Sequence, residues 1–252
     1  MSETRTWNGR AYDRISTPME QLGREVIERL ELRGDETVLD AGCGSGRLTQ
    51  VLVERVPRGR VIGVDASASM IDAARERLGD GADLRVADLV GLDLGRERVD
   101  VVFSTATFHW IADHAALFAS LRANLREGGR LVAQCGGAGN VESVHRAAEA
   151  AGALEPFAAH FAGWVGPWNF AAPQDTERRL RAAGFGAVRC WLAERPVTPD
   201  DAREFLRTIV LGAHLDQLHE ALHDAYLDAV LDRLGPRPTI DYVRLNIDAA
   251  AV

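Results

Sequence analysis

The sequence predicts an α/β fold built on a doubly wound, mostly parallel sheet. Short apolar segments alternate with amphipathic helical segments from residue 19 to residue 136, which is typical of βαβ units with right-handed crossovers. The first apolar segment runs directly into a glycine-rich turn, as a strand that enters a tight turn before a helix does. After residue 136 the pattern becomes irregular, which indicates helical additions to this core.

The elements of the alternating region follow from their hydrophobic periods. A helix over 19–32 opens the region, with Leu22, Val26 and Leu30 on one face. Strands are expected at 37–41, 60–65, 84–87, 99–104 and 130–135, and helices between them at 48–56, 68–78 and 114–125. Gly128 and Gly129 are expected to end the last of these helices.

The second part of the chain combines further helices with two strands. Helices are expected near 141–151 and over 175–183, two more within 199–234, and strands at 187–193 and 240–247. We therefore expect one domain over residues 1–252, with a core of about 36–136, 175–197 and 238–250. The additions would be 137–174 and 198–236, placed over one edge of the sheet.

The composition narrows the function. The chain has 252 residues, a net charge of −8 and a pI of about 5.4, which disfavours a nucleic-acid partner held through its phosphates. No lysine occurs, so a Schiff-base lysine and a phosphate-loop lysine are both absent. No apolar run is long enough to span a membrane, and the polar start lacks a signal-peptide core. Together with three scattered cysteines, these features favour a cytoplasmic protein with reduced thiols.

The strongest local signal is the segment VLDAGCGSGRLT at residues 38–49. Its glycines allow a tight turn and a close approach to a ligand at the start of a helix. The spacing is G-x-G-x-G, unlike the G-x-G-x-x-G of dinucleotide sites, and Asp40 would repel a pyrophosphate. A carboxylate at this position suits a ligand that carries a cation instead.

This motif resembles the first motif of class I S-adenosylmethionine-dependent methyltransferases. The resemblance implies a Rossmann-like sheet whose last strand is antiparallel, with helical additions over the substrate edge. It also implies S-adenosyl-L-methionine as cofactor and S-adenosyl-L-homocysteine as product. Asp65, at the end of the second strand, matches the acid that holds the ribose hydroxyls. Asp88, after the third strand, matches the acid that reads the adenine amino group.

The resemblance assigns the other cofactor contacts as well. Gly42 and Gly44 would lie against the methionine portion, while Asp40 would orient its amino end. Leu89 would pack on the adenine ring, and Tyr12 matches an aromatic residue that folds over the cofactor. The remaining expected cofactor contacts are Cys43, Ala66, Met70 and Thr105.

Two later segments resemble the trans-aconitate and juvenile-hormone-acid methyltransferases within this class. FSTATFHW at 103–110 carries their His-Trp pair, and WNFAAP at 168–173 matches their W-x-F/Y-x-x-P pattern. Those enzymes methylate carboxylates of small acids, so the resemblance implies methyl transfer to a small-molecule acceptor, with carboxylate O-methylation as one form. The His-Trp pair also occurs in enzymes that methylate other atoms. An N-, C- or phenol O-methyltransferase of a metabolite, and a non-catalytic protein of this fold, therefore stay open.

His109 is the candidate catalytic residue, either as a base or as a residue that positions the substrate. A phenol or amine acceptor benefits from a base, whereas a carboxylate is already ionised. The alternative for His109 is a structural histidine bonded to the backbone. Trp110 is expected to form a wall of the pocket, and Trp164, Trp168 and Phe170 are further candidates for its apolar lining.

Other classes of protein are less consistent with the sequence. Residues 219–223 read H-E-x-x-H, the signature of zinc peptidases, but the extended signature needs Gly at 226 and His at 229, where this chain has Tyr226 and Ala229. We interpret this stretch as part of an amphipathic helix and expect no metal site. The glycine spacing opposes a nicotinamide oxidoreductase. The absence of Asn/Asp-Pro-Pro-Tyr after the fourth strand opposes a base or glutamine methyltransferase.

Overall fold

The fold is a single twisted sheet in a computed structural model of the chain, which describes residues 17–252. Its strands are β1 (Thr37–Ala41), β2 (Arg60–Asp65), β3 (Asp83–Val86), β4 (Val99–Thr105), β5 (Leu125–Gly136), β6 (Phe185–Glu194) and β7 (Val243–Ala251). They lie in the order β3-β2-β1-β4-β5-β7-β6. The pairs from β3 to β5 are parallel, and β7 runs antiparallel to both β5 and β6. This topology confirms the predicted sheet, including its antiparallel last strand.

Helices cover both faces of the sheet and build the additions. Those of the core are α1 (Thr17–Glu28), α2 (Arg47–Arg55), α3 (Ala68–Leu78), α4 (His114–Asn124) and α7 (Pro173–Ala182). The additions contain α5 (Glu142–Gly152), α6 (Ala158–Phe161), α8 (Ala202–Phe205), α9 (Gly212–Leu215) and α10 (His223–Leu234). No helix among residues 17–252 is long and apolar enough to cross a membrane.

Alternate residues of the central strands pack into different cores. Leu39 and Val102 contribute to a cluster with the helices α4 and α7, whereas Val38 and Val101 contribute to a cluster with α1 and α2. A strand that is apolar on both faces must be covered on both, which is why the central strands appear as continuous apolar runs. A third cluster, from the additions, joins α5 to α10 and includes Tyr226, whose hydroxyl donates to Ala148 O at 3.0 Å.

Several predicted boundaries are wrong. The first helix ends at Glu28 rather than at residue 32, and Glu31 has a left-handed φ of 49°. The helix α4 ends at Asn124, and the chain enters β5 at Leu125 rather than at 130, through an irregular pairing with β4. The last strand covers Val243–Ala251 instead of 240–247, because its partners β5 and β6 pair with it as far as Ala250 and Ala251.

Residues 199–234 also differ from the two helices that the sequence predicts there. The short helix α8 continues into a π-helical turn at Leu206–Val210, and α9 then begins at Gly212. A 3-10 turn at Glu220–Leu222 precedes α10. Ile209 and Val210 of the π-helical turn face the cavity described below. Such turns are rare and frequently occur at functional sites.

Candidate cofactor and acceptor site

The candidate site lies at the carboxyl edge of the sheet, where the loops that follow the parallel strands meet. Strand order places Asp88 after β3, Asp65 at the end of β2, the glycine loop after β1, and His109 beyond β4. Ala87 N donates to Asp65 O at 3.0 Å, which joins the first two loops. The predicted residues of the cofactor site therefore follow one another along this edge.

The glycine loop keeps open space beside Gly44. This residue has a φ of 53°, and a Cβ built on it would have no atom of residues 17–252 within 4 Å. Gly42 differs, since its φ is 85° and a Cβ there would lie 2.1 Å from Thr107 Oγ1. Gly42 is thus required for packing of the loop, whereas Gly44 borders a groove that can receive a ligand.

Asp40 is buried beneath the glycine loop, where Thr49 Oγ1 donates to its Oδ2 at 2.7 Å. Burial raises the pKa of Asp40 to about 7, and the charge of Asp65 adds to the rise, while the hydrogen bond from Thr49 opposes it. Burial also raises the pKa of the Cys43 thiol far above its usual range. Cys43 is therefore a protonated packing residue under the loop, and Asp40 titrates near neutral pH.

Asp65 and Asp88 follow the neighbouring strands β2 and β3 at the same edge of the sheet. Asp65 accepts hydrogen bonds from Gly44 N at 3.0 Å and Ser67 N at 2.8 Å, and burial raises its pKa. Asp88 is exposed, and its Oδ1 accepts from Val90 N at 2.9 Å. Each carboxylate retains lone pairs for a further donor.

The position of Leu89 does not agree with the prediction that it packs on the adenine ring. Its side chain is buried in the main core with Leu92 and Leu94. The exposed apolar surface beside Asp88 comes instead from Val86 and Val90, which are 49% and 36% exposed. These two valines were not singled out from the sequence, although they flank the predicted acid.

The remaining predicted cofactor residues occupy different environments. Ala66 is exposed just after Asp65, Met70 is buried in the first turn of α3, and Thr105 ends β4. Tyr12 lies outside the described residues.

A cavity of about 60 Å³ adjoins the glycine loop on the side of β4 and β5. It is lined by Ala106, His109, Trp110, Asn140, Val141, His145, Trp168, Phe170, Ile209, Val210, Tyr242 and Arg244. None of these lining residues, within the part of the chain that the structure describes, is Asp or Glu. Ala106 connects the cavity to the loop, because the next residue, Thr107, donates from Oγ1 to Gly42 O at 3.4 Å.

His109 is a neutral hydrogen-bond donor toward the cavity. Gly136 N donates to its Nδ1 at 3.3 Å, which places the ring proton on Nε2. Burial, reinforced by the charges of Arg244 and His114, lowers the pKa of His109 to about 3. This environment argues against the predicted role as a general base, because a nitrogen of such low basicity is a poor proton acceptor at neutral pH.

Arg244 supplies a buried cation to the same cavity. It lies on β7, and its Nε donates to Gln134 Oε1 at 3.3 Å. The other end of the Gln134 amide donates to Asn246 Oδ1 at 3.0 Å, and Arg29 donates to the same oxygen at 2.6 Å. These hydrogen bonds with Gln134 of β5 and Asn246 of β7 hold the Arg244 guanidinium in its orientation.

Asn140 provides a second oriented donor. Its Oδ1 accepts from Val243 N at 3.0 Å, which directs the amide nitrogen away from β7. That nitrogen lies 2.8 Å from where a Cβ on Gly136 would stand, so the glycine leaves room for it. The next residue, Val141, has a φ of 49°, an unfavourable conformation for a β-branched residue. Its N–H donates to Asp241 O at 2.8 Å, which fixes this strained turn at the cavity wall.

Aromatic rings form one wall of the cavity. Phe170 is nearly parallel to both His109 and Trp168, with interplanar angles of 21° and 12°. Trp110 contacts Trp168 at a centroid distance of 5.9 Å, and His145 lies 4.6 Å from the same ring. We call Trp110, His145, Trp168 and Phe170 the ring wall. The Trp110, Trp168 and Phe170 side chains thus lie where the sequence places pocket candidates, while Trp164 packs against His214.

The H-E-x-x-H stretch does not present two histidines on one helix. His219 Nδ1 accepts from Ala221 N at 3.3 Å and caps the 3-10 turn, whereas His223 starts α10 with its Nε2 bonded to Leu218 O at 3.2 Å. The prediction of a single amphipathic helix here is wrong, because this turn interrupts it. No group of three or more potential metal-ligating side chains occurs among residues 17–252.

Asp113 caps the start of the helix α4. Its Oδ1 accepts from Ala116 N at 2.9 Å at the start of α4. The adjacent His114 is bonded through Nε2 to Phe108 O at 2.9 Å. Both side chains therefore stabilise the loop that carries His109.

The most informative residues that sequence reasoning missed are Arg244 and Asn140. Arg244 interrupts the apolar segment at 240–247, and a charge inside a strand pattern was the available signal. Asn140 follows three glycines and gave no comparable signal. Arg244 reaches the site only because β7 inserts between β5 and β6, and the Asn140 side chain is oriented there by Val243 of β7.

The chain is similar to known methyltransferases along much of its length. Residues 38–129 match the model of a methyltransferase domain. The chain is 34% identical over 213 residues to an uncharacterized methyltransferase of Schizosaccharomyces pombe, covering 80% of this chain and 79% of the relative. It is 30% identical over 195 residues to a trans-aconitate 2-methyltransferase of Methylobacterium nodulans, covering 77% and 70%. It spans about half the length of several other trans-aconitate 2-methyltransferases that it matches.

A solved structure supports the same fold. The YcgJ protein of Bacillus subtilis superposes with a TM-score of 0.65 at 17% identity, over 92% of this chain and 98% of that one. With the glycine loop, the sheet order and the relatives taken together, the chain belongs to the class I S-adenosylmethionine-dependent methyltransferases.

Proposed function

We propose that this protein transfers the methyl group of S-adenosylmethionine to a carboxylate oxygen of a small acid. The observation that carries the proposal is the polarity of the cavity beside the glycine loop. Arg244, Asn140 and His109 all offer donors there, and no acid occurs among the described lining residues. A site of this kind favours an anion, since Arg binds carboxylates through paired, charge-assisted hydrogen bonds.

The groove along the strand ends has the features that the cofactor needs. The open space beside Gly44 would receive the methionine portion, and Asp40 beneath the loop would attract its ammonium group. The free lone pairs of Asp65 would accept from the ribose hydroxyls, and the exposed carboxylate of Asp88 from the adenine amino group. Val86 and Val90 would contact the adenine faces.

The strand order supports an acceptor cavity at the methyl-donating end of the groove. Ala106 lines the cavity, and its neighbour Thr107 packs on Gly42, so these residues form the border between the two compartments. When bound, S-adenosylmethionine supplies an electrophilic methyl group and leaves as a neutral thioether. The protein's contribution is to hold the acceptor in line with that group and to keep water out.

His109 would act as a donor rather than as a base. A carboxylate is ionised at neutral pH and needs no proton removed before it attacks. With Nδ1 occupied by Gly136 N–H, the Nε2–H of His109 would donate to one carboxylate oxygen beside Arg244. His109 would then be a positioning group of the acceptor, a role that agrees with the low pKa that its burial produces.

The direct test supplies purified protein with S-adenosylmethionine and matched acceptors that differ only in the nucleophile. Benzoate, phenol and aniline form one such set, and trans-aconitate adds the substrate named in the relatives. S-adenosylhomocysteine release and the mass of the methylated product are measured. We expect methyl esters from carboxylates alone. Methylation of phenol or aniline with no ester from any acid would contradict the proposal.

Arg244 variants separate acceptor binding from cofactor binding. Arg244→Met should raise KM for the acid at least ~100-fold, because it removes a charge-assisted partner in a buried site. Arg244→Lys keeps the charge but loses the planar guanidinium that binds a carboxylate through two hydrogen bonds. Its KM for the acid should lie between those of the wild type and Arg244→Met. S-adenosylhomocysteine affinity by calorimetry should stay within about twofold in both variants, which also shows that they fold. An unchanged KM in Arg244→Met would remove the basis for an anionic acceptor.

A further inference from the structure

We infer that His145 is a specificity-determining residue of the acceptor cavity, and that it binds an uncharged hydroxyl group which the acceptor carries away from its methylated carboxylate. This inference rests on the proposed function and narrows the substrate class to hydroxylated acids. It follows from the position of His145, from an unpartnered nitrogen of its ring and from the surroundings of that ring.

His145 is held at the cavity by the start of α5. Its N–H donates to Val141 O at 3.0 Å, and the N–H of Val141 donates to Asp241 O at 2.8 Å. Ser143 strengthens this attachment, because its N–H and its hydroxyl donate to the two carboxylate oxygens of Asp241 at 2.9 and 2.6 Å. The first turn of the helix is thus tied to the segment before β7, and His145 is one of the residues that line the cavity.

One ring nitrogen of His145 is left without a protein partner. Its Nε2 is buried and has no hydrogen-bond partner among residues 17–252. A buried polar atom without a partner costs free energy, so such atoms are rare in native proteins. Because His145 lines the acceptor cavity, a polar group of the acceptor can supply the missing hydrogen bond.

A hydroxyl group matches this nitrogen better than other polar groups do. The imidazole of His145 is neutral at pH 7, because burial lowers its pKa, although the charge of Asp241 opposes the shift. A nitrogen of a neutral imidazole carries either a lone pair or a proton. A hydroxyl can donate to the first or accept from the second, whereas a carbonyl only accepts and an ammonium only donates.

The surroundings of the His145 ring disfavour a second charged group. Trp168 and Phe170 lie against the imidazole at centroid distances of 4.6 and 5.7 Å, and these rings offer no hydrogen bond to an anion in place of water. A second carboxylate would also meet the negative charge of Asp241, which acts on His145. An ammonium group would share the cavity with the Arg244 cation. An uncharged hydroxyl avoids both repulsions.

The hydroxyl and the reacting carboxylate contact different parts of the fold. Arg244 and His109, the proposed donors to the carboxylate, belong to β7 and to the loop after β4, whereas His145 belongs to α5 of the additions. Phe170 lies next to both histidines, with its centroid 5.7 Å from each ring. The hydroxyl is therefore expected on a carbon several bonds from the carboxylate.

Pairs of acids that differ only in a hydroxyl or a methyl group of similar size test this contact. Meta- and para-hydroxybenzoate are compared with meta- and para-methylbenzoate, and the corresponding phenylacetates extend the reach. Under saturating S-adenosylmethionine, kcat/KM for the hydroxylated acid should exceed that for the methylated acid by at least ~10-fold in one or more pairs. The difference should lie mainly in KM, because only the hydroxyl pairs with Nε2.

Two variants of His145 test the hydrogen bond itself. His145→Phe keeps an aromatic ring but removes the nitrogen, so the preference for the hydroxylated acid should disappear. His145→Gln offers an amide that can donate or accept and should retain part of the preference. S-adenosylhomocysteine affinity by calorimetry should stay within about twofold in both variants, which also shows that they fold.

His214→Phe is the matched control. His214 also has a buried ring nitrogen without a partner among residues 17–252, and its ring lies 5.3 Å from that of Trp168, but it does not line the cavity. Its replacement should leave the ratio of kcat/KM between hydroxylated and methylated acids unchanged. A loss of preference equal to that in His145→Phe would assign the effect to packing around Trp168 and overturn the inference.

The outcomes distinguish this inference from the proposed function. If every pair of acids is esterified with equal kcat/KM by the wild-type protein, or if the preference persists in His145→Phe, the inference is wrong while carboxylate methylation stands. Alkaline hydrolysis of the products separates methyl esters from methyl ethers. If the hydroxyl is methylated and no acid is esterified, the proposed function fails and this inference fails with it.

Discussion

Cofactor affinity should depend on pH through Asp40. Burial raises the pKa of this carboxyl from 3.8 to about 7 in the cofactor-free protein, so nearly half of the molecules carry a protonated Asp40 at neutral pH. The ammonium group of the cofactor product S-adenosylhomocysteine should bind next to the ionised form. Binding must then release a proton, and affinity must rise with pH until Asp40 is fully ionised.

The magnitude follows from the titration of one group. If only ionised Asp40 binds, the apparent Kd at pH 6 is about 11 times its limiting value, and at pH 8 it is about 1.1 times that value, for a pKa of about 7. Affinity should therefore increase about tenfold between pH 6 and pH 8, which corresponds to about 1.4 kcal/mol.

Isothermal titration calorimetry in buffers of different ionisation enthalpy measures both the affinity and the proton released. Asp40→Asn, which keeps the shape and a partner for Thr49, should bind more weakly and lose the pH dependence. Thr49→Val removes the hydrogen bond that favours the ionised form, so the pKa of Asp40 should rise and the midpoint should move to higher pH. Equal affinity at pH 6 and pH 8, or a pH dependence that persists in Asp40→Asn, would refute this reasoning.

The same shift has a consequence for the stability of the cofactor-free protein. The pKa of Asp40 is higher in the folded state than in the unfolded state, so its contribution is fully present below about pH 4 and is lost as pH rises through about 7. The loss approaches 4 kcal/mol as an upper limit, from about three pKa units at about 1.36 kcal/mol each. Urea unfolding of wild type and Asp40→Asn at several pH values should show the difference between them changing in this direction.

Three further predictions concern the loop and the additions. Gly44→Ala should reduce S-adenosylhomocysteine affinity at least ~100-fold while lowering the unfolding free energy by only about 1–2 kcal/mol, since its Cβ enters empty space. The matched variant Gly42→Ala should destabilise the fold itself, because its Cβ would collide with Thr107. A larger loss of stability in Gly44→Ala than in Gly42→Ala would contradict the open groove. Tyr226→Phe should lower the unfolding free energy in urea by about 1 kcal/mol, because it removes the hydrogen bond from the buried hydroxyl to Ala148 O. An unchanged unfolding free energy would show that this hydrogen bond does not stabilise the fold. His219→Ala with His223→Ala should leave cofactor affinity unchanged, and stoichiometric zinc in the wild-type protein would overturn our interpretation of that stretch.

The parts of the fold that could be predicted from the sequence are those set by local pattern. The strands β1 and β2 begin and end where predicted, because continuous apolar runs are bounded there by polar residues and glycine. Asp40, Asp65 and Asp88 could be placed on one edge because parallel strands align their carboxyl ends. The boundaries that failed, such as the start of β5 and the end of β7, depend on how far neighbouring strands continue to pair.

The acceptor side could not be predicted to the same degree, since it is assembled from distant segments. Arg244 meets His109 only after β7 has inserted between two earlier strands, and the Asn140 amide is oriented by Val243 on that inserted strand. The protonation of His109 likewise depends on a bond from Gly136, 27 residues away, and on burial by the ring wall. A histidine beyond a strand is a reasonable base by position alone, and only its tertiary surroundings make it a donor.

The distribution of charge over the two compartments also bears on the rate of the proposed reaction. Methyl transfer from a sulfonium to a carboxylate converts a cation and an anion into two neutral groups, so charge is lost as the transition state forms. Water stabilises the separated charges more than that transition state, and excluding water therefore lowers the barrier. The ring wall and the small cavity would contribute to this exclusion, while Arg244 would hold the acid without surrounding it with charge. Once the ester forms, it no longer attracts the guanidinium. The site should therefore release the ester more readily than it binds the acid.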